Sequence, residues 1–183
     1  YLNFLYFCMR KVSARQKRHY RKLCNAPACN YNKHNKHNTM NKAELLELCQ
    51  CGETSRVQFK QEFTTHAKIA QEIVAFANSH GGVILFGIED KTGELIGLTY
   101  QQLQATSLEL GNTANEQVKP AIYIETEVVK ANDKLCLVCH VEEGRNKPYK
   151  TSSGEIWVKQ GADKRRVTEN SEILSLFQDS GSH

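Results

Sequence analysis

Five basic residues are the first part of this sequence that points to a chemistry. Lys60 lies in the first half of the chain, whereas Lys159, Lys164, Arg165 and Arg166 lie close together in its last quarter. Lysine and arginine bind phosphate oxygens through charge and hydrogen bonds, and they release counterions from nucleic acid as they do so. The five residues therefore predict phosphate binding, with an ordinary solvated run of charge as the alternative.

Aromatic side chains that could stack on bases are scarce near these basic residues. Tyr149 and Trp157 are the candidates, because they precede the basic run by a few positions. Stacking and base-edge contacts carry sequence selectivity, whereas phosphate contacts do not. The sequence thus predicts an interface that holds mainly the backbone of a nucleic acid, and it does not distinguish RNA from DNA.

A strand and a helix are predicted around Lys60. Val57, Phe59 and Phe63 alternate with polar residues, which is the period of a half-buried strand. Apolar residues then recur at helical spacing and predict a helix over residues 67–79 with one apolar face. Lys60 is therefore expected on the polar face of the strand.

Two glycines separate this helix from a second strand. The run from Val83 to Ile88 is almost entirely apolar, which indicates a central strand covered on both faces. Gly81 and Gly82 come directly before it, where the helix must end. We expect one of them to adopt a positive φ, because glycine has no Cβ to oppose that conformation.

The remaining periodic segments predict one α+β domain over residues 40–180. Its sheet is expected to be mixed but mainly antiparallel, with five to six strands and about three packed helices. Turn residues separate the strands, and threonines can cap two of the helices. The predicted strands are Leu95–Gly97, Ile122–Val129, Leu135–Val141 and Ile156–Lys159, and the caps are Thr99 and Thr168.

Residues 1–39 predict a basic disordered tail. They contain nine lysines and arginines and no acidic residue, which leaves 15 basic and 20 acidic residues in the rest of the chain. A helical basic arm for nucleic acid over Arg10–Lys22 is the alternative. Because a coherent helical pattern opens at Met40, we expect Met40 to be the native start and the preceding residues to be non-native.

The sequence also predicts a cytoplasmic protein without membrane contact. The apolar segment Leu2–Met9 is too short to span a bilayer, and it precedes the basic residues, the reverse of a secretory signal. Seven cysteines in a chain without such a signal indicate free thiols in a reducing compartment.

Cys136, Cys139 and His140 form a C-x-x-C-H sequence, the pattern of c-type haem attachment. They lie in the predicted strand Leu135–Val141, where residues three positions apart point to opposite faces. Cys139 is therefore expected to be a core residue and not part of a haem site.

Several short motifs follow one another along the chain: Glu53, Gln58-Phe59-Lys60, Ala75-Phe76-Ala77-Asn78, Gly81-Gly82, Phe86-Gly87-Ile88-Glu89-Asp90, Gly97, Ile156-Trp157-Val158-Lys159 and Gly161. In this order they resemble the Schlafen AlbA-type domain, a group also named as divergent AAA-type ATPases, transcriptional regulators or RNA-binding domains. The resemblance covers about residues 44–178 and implies both the α+β fold and nucleic-acid binding.

The same resemblance implies a second candidate site, which is acidic. Some Schlafen relatives are endoribonucleases with three carboxylates, and Glu53 and Asp90 match two of those positions. Carboxylates close together can hold Mg²⁺ or Mn²⁺ and activate water. The third position is Gln58, whose amide offers only a neutral oxygen, so the site has one negative charge fewer.

ATP binding has no support from the residues. The sequence contains no G-x-x-x-x-G-K-[ST], so nothing is expected to hold a triphosphate in the manner of a P-loop. The sequence therefore predicts a nucleic-acid-binding domain that regulates transcription or RNA, either alone or as a module of a larger regulator. No cofactor is expected, and a homo-oligomer is possible. A metal-dependent endoribonuclease and a protein-interaction module are the alternatives.

Overall fold

The computed structural model describes residues 39–180. The tail predicted at residues 1–39 therefore lies outside the described residues, apart from Thr39. None of the helices in the described part of the chain has the length and apolar character needed to cross a bilayer. Those helices are α1 (Lys42–Cys51), α2 (His66–Asn78), α3 (Tyr100–Asn112), which continues into a π-helical turn (Thr113–Gln117), and α4 (Asn170–Ser180).

The strands of the described residues form one sheet and two ribbons. They are β1 (Val57–Lys60), β2 (Gly82–Phe86), β3 (Val118–Lys119), β4 (Ile124–Ala131), β5 (Lys134–Val141), β6 (Lys150–Thr151), β7 (Ile156–Gln160) and β8 (Asp163–Val167). The sheet has the order β1-β2-β5-β4, in which β1 and β2 are parallel and the other neighbours are antiparallel. The pairs β3-β6 and β7-β8 form separate antiparallel ribbons. The α+β class and the mixed sheet are confirmed, but the sheet has four strands where five to six were predicted. The predicted strand Ile156–Lys159 lies in a ribbon, and Leu95 makes only an isolated bridge with Ile88.

β2 is the central strand that the apolar run predicts. Its side chains alternate between two core clusters, one on the side of α2 and α3 and the other on the side of α1. Ile84 and Phe86 belong to the α2-side cluster, whereas Val83 and Leu85 belong to the α1-side cluster. Because both faces exclude water, every side chain from 83 to 86 is apolar. Burial of such surface stabilises the fold by roughly 25 cal/mol per Å².

The cysteines of β5 lie on opposite faces of the sheet, as the strand period predicts. Cys136 belongs to the α1-side cluster and Cys139 to the α2-side cluster. Burial raises the pKa of both thiols to about 12, so they are neutral core residues. Cys49 is likewise free and buried, whereas Cys51 is disulfide-bonded, which departs from the expectation of free thiols throughout.

Both ends of α2 follow from local chemistry. Thr65 caps the first turn, since its side chain accepts a hydrogen bond from the backbone N–H of Lys68. Beyond the last turn, Gly81 has a φ of 67°, which confirms the predicted positive-φ glycine. Gly82 serves a different purpose, because a Cβ there would lie 2.5 Å from the carbonyl oxygen of Arg56.

The hairpin of β7 and β8 contains four of the five basic residues that are predicted to bind phosphate. The basic run after Gly161 lies entirely within β8, a strand that is not among those predicted. Trp157 lies opposite Arg166 and Lys159 opposite Lys164, with the tight turn at Gly161 between the strands. Directly opposed residues share a face of an antiparallel pair, and so do residues two apart along a strand. The four side chains therefore lie on one face of the hairpin.

Candidate nucleic-acid interface

A buried glutamate on α2 holds two of the predicted phosphate-binding lysines. Glu72 is only 3% exposed, and its Oε1 lies 2.7 Å from the Nζ of Lys164 on β8. The same oxygen lies 3.8 Å from the Nζ of Lys60, at the end of β1. Two lysines that are 104 positions apart in the sequence therefore meet at one carboxylate.

Lys159 joins this group from β7. Its Nζ donates to the side-chain oxygen of Gln58 at 2.9 Å and to the carbonyl oxygen of Ala162 at 2.7 Å. The same ammonium lies 5.0 Å from the ring centroid of Phe76, a cation–π distance. Burial lowers the pKa of Lys159, and the nearby charge of Glu72 opposes that effect.

Glu53 and Gln58 form a hydrogen-bonded pair beside the lysines. The Gln58 Nε2 donates to Glu53 Oε1, and the backbone N–H of Phe59 donates to the same oxygen at 2.9 Å. Burial is the main reason that the pKa of Glu53 is raised above its ordinary value. The Phe59 hydrogen bond and the charges of Lys60 and Lys159 work in the opposite direction.

Asp90 completes the arrangement at the more exposed side. Its side chain is 46% exposed, and its Oδ2 lies 3.8 Å from Lys60 Nζ. Three carboxylates and three ammonium groups thus form what we call the lysine–carboxylate cluster, and their formal charges cancel. The members of this cluster are Glu53, Glu72, Asp90, Lys60, Lys159 and Lys164.

Glu72 is the member of this cluster that is not among the site residues predicted from the sequence. It interrupts an apolar helical stripe, lying three positions after Ile69 and four before Phe76, both of which are fully buried. A charged residue at such a position is expected inside the core, where it needs a charged partner. That spacing was the signal available in the sequence.

The three residues of the predicted metal site contact one another or lysines. Gln58 uses its amide nitrogen on Glu53 and its oxygen on Lys159, and Asp90 faces the ammonium of Lys60. Divalent cations bind oxygen ligands, and positive charge on nearby lysines opposes their binding at such oxygens. Within residues 39–180, no group of three or more histidine, cysteine, aspartate or glutamate side chains is placed to hold a metal ion.

The two arginines of β8 are paired on the more exposed part of the hairpin. Arg165 donates from both terminal nitrogens to the carboxylate of Glu172 on α4, one of them at 3.0 Å. Arg166 lies 3.1 Å from Glu155, and its side chain is 55% exposed. Exposed pairs of this kind contribute only about 0–1 kcal/mol to stability, so a phosphate can compete for the guanidinium groups.

The two aromatic candidates for base stacking lie inside the fold. Tyr149 is 4% exposed and belongs to the α2-side cluster, so the stacking role predicted for it is wrong. Asn78 fixes it there, since the Asn78 Nδ2 donates to the carbonyl oxygen of Tyr149 and the Asn78 Oδ1 accepts a hydrogen bond from the Tyr149 backbone N–H. Trp157 is partly buried and packs against the same cluster, and its indole nitrogen is enclosed without a hydrogen-bond partner among residues 39–180.

Comparison with known proteins gives a consistent assignment. The family model described as Schlafen, AlbA_2 matches residues 53–168, which is more than half of the chain and contains every member of the lysine–carboxylate cluster. An uncharacterized ATP-binding protein of Ureaplasma parvum serovar 3 is 36% identical over 73 residues. That alignment covers 38% of this chain and 21% of the relative, so the chain spans about a fifth of its length.

Two solved structures share the fold. The N-terminal domain of a Nitrosomonas europaea protein whose name relates it to the ATP-dependent DNA helicase RecG matches with a TM-score of 0.55 and 21% identity. The match covers 72% of this chain and 97% of that domain. The DIP2311 protein of Corynebacterium diphtheriae matches with a TM-score of 0.50 and 22% identity, over 67% of this chain and 23% of that one.

Proposed function

The chain belongs to the Schlafen AlbA_2 family, and from this premise we propose that it is a nucleic-acid-binding domain that contacts mainly the phosphate backbone. One observation carries the proposal. Lys60 is distant in the chain from Lys159 and Lys164, and the fold brings these three lysines together, with Arg166 on the same face of the hairpin and Arg165 on its other face. Basic groups at one surface are what a polyphosphate backbone requires.

The internal partners of these cations are compatible with binding. Ion pairs at partly exposed positions exchange readily, and phosphate offers more acceptor oxygens than one carboxylate. Arginine also matches phosphate with two parallel hydrogen bonds, so Arg166, the most exposed of the five, is suited to the first contact. Further phosphate groups would then contact Lys159 and Lys164, which lie near the turn of the hairpin and beside α2.

The names of similar proteins support the proposal without defining the ligand. The Nitrosomonas europaea protein is named for its relation to a DNA helicase, and its matching part is an N-terminal domain. A domain of this kind would serve a larger cytoplasmic protein as the part that holds nucleic acid, in regulation of transcription or of RNA.

Metal-dependent RNA cleavage is the alternative function. The oxygen atoms that would hold the metal ion support it less well than the basic residues support binding. Glu53 and Asp90 lie in the same cluster, as the family resemblance implies, but Lys60 and Lys159 already neutralise the acidic group. Gln58 adds no charge and is hydrogen-bonded at both ends. We therefore propose binding without cleavage.

Salt-dependent binding tests the proposal. The protein would be titrated against fluorescent short RNA and DNA, single- and double-stranded, at several salt concentrations, with anisotropy as the readout. We expect the logarithm of the binding constant to fall linearly with the logarithm of salt, by about 0.7–0.9 per phosphate contacted. No binding to any of the four at low salt, or binding that salt does not weaken, would contradict the proposal.

A further inference from the structure

Glu72 is an unusual residue for its position. It belongs to α2, whose neighbouring side chains Ile69, Ile73 and Phe76 are buried in the α2-side cluster. Its Oε1 faces Lys164 and Lys60, whereas its Oε2 is buried and has no hydrogen-bond partner within the described residues. A buried carboxylate with one unsatisfied oxygen destabilises a fold unless nearby cations offset the cost of its burial.

Lys60 is a cation that Glu72 pairs with by charge alone. Its Nζ lies 3.8 Å from both Glu72 and Asp90, which is too long for a hydrogen bond. Within the described residues its ammonium therefore makes ion pairs but no hydrogen bond, and its three N–H groups remain available to a ligand. Lys164 and Lys159, by contrast, already donate hydrogen bonds inside the protein.

We propose that Glu72 is a buried counter-ion that holds Lys60 and Lys164 in position for phosphate and, at the same time, lowers their affinity for it. This inference rests on the proposed function and names the residue that controls it. Without an anion at 72, the lysines would repel each other across the space between β1 and β8. With it, an incoming phosphate must share each ammonium with a fixed negative charge.

Two consequences follow for the bound state. Phosphate oxygens would approach Lys60 from the side of Asp90, because Glu72 lies on the buried side and the Lys60 side chain is partly open to solvent. Affinity would depend on how much negative charge faces the lysines, and not only on the number of basic residues. Glu72 is thus a positioning residue that acts on the ligand through two lysines.

The test compares two variants with the same change of charge. Glu72→Gln removes the buried counter-ion and keeps the size of the side chain. Glu109→Gln removes a half-exposed carboxylate that pairs with His66 and does not contact the cluster. The readout is the affinity for a short fluorescent nucleic acid, chosen from single- and double-stranded RNA and DNA as the one that the unaltered protein binds best.

We expect Glu72→Gln to bind about fivefold to tenfold more tightly at low salt, because one negative charge a few ångströms from the ligand is removed. Its salt dependence should become steeper by up to about one phosphate contact, since Lys164 loses its hydrogen bond to Glu72 and is freed for the ligand. Glu109→Gln should change affinity less than about twofold at the same salt. In a Lys164→Gln background most of the gain from Glu72→Gln should disappear, because Lys164 is the lysine that donates a hydrogen bond to Glu72.

Folded Glu72→Gln protein that binds no more tightly than Glu109→Gln would overturn the inference. If Glu72→Gln does not fold, Asp90→Asn tests the same idea at the exposed carboxylate of Lys60, and affinity that fails to rise there would also overturn it. Failure of the proposed function looks different, because the unaltered protein would then bind none of the four nucleic acids.

Discussion

The side-chain oxygen of Gln58 accepts a hydrogen bond from the Nζ of Lys159 at 2.9 Å, across 101 positions of sequence. This contact ties β1 to the β7-β8 hairpin. The opposite end of the same amide donates to Glu53. A glutamate at position 58 could not make the second bond while ionised, because a carboxylate has no donor. The neutral amide is therefore part of how the lysine–carboxylate cluster is built.

The first prediction concerns RNA cleavage. With Mg²⁺ or Mn²⁺, the unaltered protein should cleave RNA at background rate, because Gln58 is neutral and lysines face the two carboxylates. Gln58→Glu is the sharper probe, and the measurement is metal-dependent cleavage of labelled RNA. Gain of cleavage in this variant would show that one charge separates the site from a nuclease.

Control variants make the cleavage result decisive. Glu53→Gln and Asp90→Asn should leave the background of the unaltered protein unchanged. Strong cleavage by the unaltered protein that either substitution abolishes would contradict a binding-only function. No cleavage by folded Gln58→Glu would indicate that these acidic positions are structural in this chain.

The second prediction concerns the pH dependence of stability at Glu53. Burial raises the pKa of this carboxyl in the folded state above its ordinary value of 4.5. The folded protein therefore holds this proton more tightly than the unfolded chain, and its contribution to stability is lost as pH rises from the unfolded pKa through the folded one. The unfolding free energy of Glu53→Gln, measured with urea, should improve relative to the unaltered protein between acidic and neutral pH.

A matched substitution shows whether that change belongs to Glu53. Glu44→Gln removes a carboxylate of the capping box at the exposed start of α1. It should not reproduce the rise in relative stability with pH. An unchanged difference between Glu53→Gln and the unaltered protein at all pH values would show that Glu53 titrates as an ordinary exposed group.

The third prediction concerns the two glycines between α2 and β2. Gly81→Ala should destabilise the fold by about 1 kcal/mol or more, because it places a Cβ on a positive-φ residue. That Cβ would also lie 2.7 Å from the carbonyl oxygen of Val141. Gly82→Ala should have a similar effect through its clash with Arg56 and Phe76. Thermal and urea unfolding measure both.

Gly111 provides the control for these substitutions. It lies within α3, and a Cβ there would have no neighbour within 4 Å. Gly111→Ala should therefore stabilise the protein, by up to about 1 kcal/mol, through higher helix propensity. Equal effects at all three glycines would contradict the conformational explanation.

The parts of the fold that the sequence predicts well are those with a local pattern. In α2 the apolar residues recur at helical spacing, and in β2 they form a continuous run. Gly81 marks the break between the two elements. β8 was missed because its sequence, Asp163–Val167, is mostly charged and shows no alternation of apolar residues. Its structure comes from pairing with β7, which local propensity does not encode.

The candidate site shows the same division. The basic residues stand out by type, and the family resemblance points to Glu53, Gln58 and Asp90. Their grouping with Glu72 depends on contacts between residues far apart in the chain, such as Lys164 with Glu72. The burial of Tyr149, which removes it as a stacking partner, depends on Asn78, 71 positions away. Composition and spacing carry no signal for such distances.

The most direct test of phosphate binding replaces Lys164, Arg165 and Arg166 with alanine together. We predict that affinity for every nucleic acid bound falls by about tenfold or more, with a salt dependence flatter by up to about 0.9 per lost contact. The control removes the same charge from three exposed lysines elsewhere and should change affinity less than about threefold: Lys42, Lys91 and Lys130. Equal losses in the two folded triple variants, or no loss in the first, would contradict binding through the hairpin.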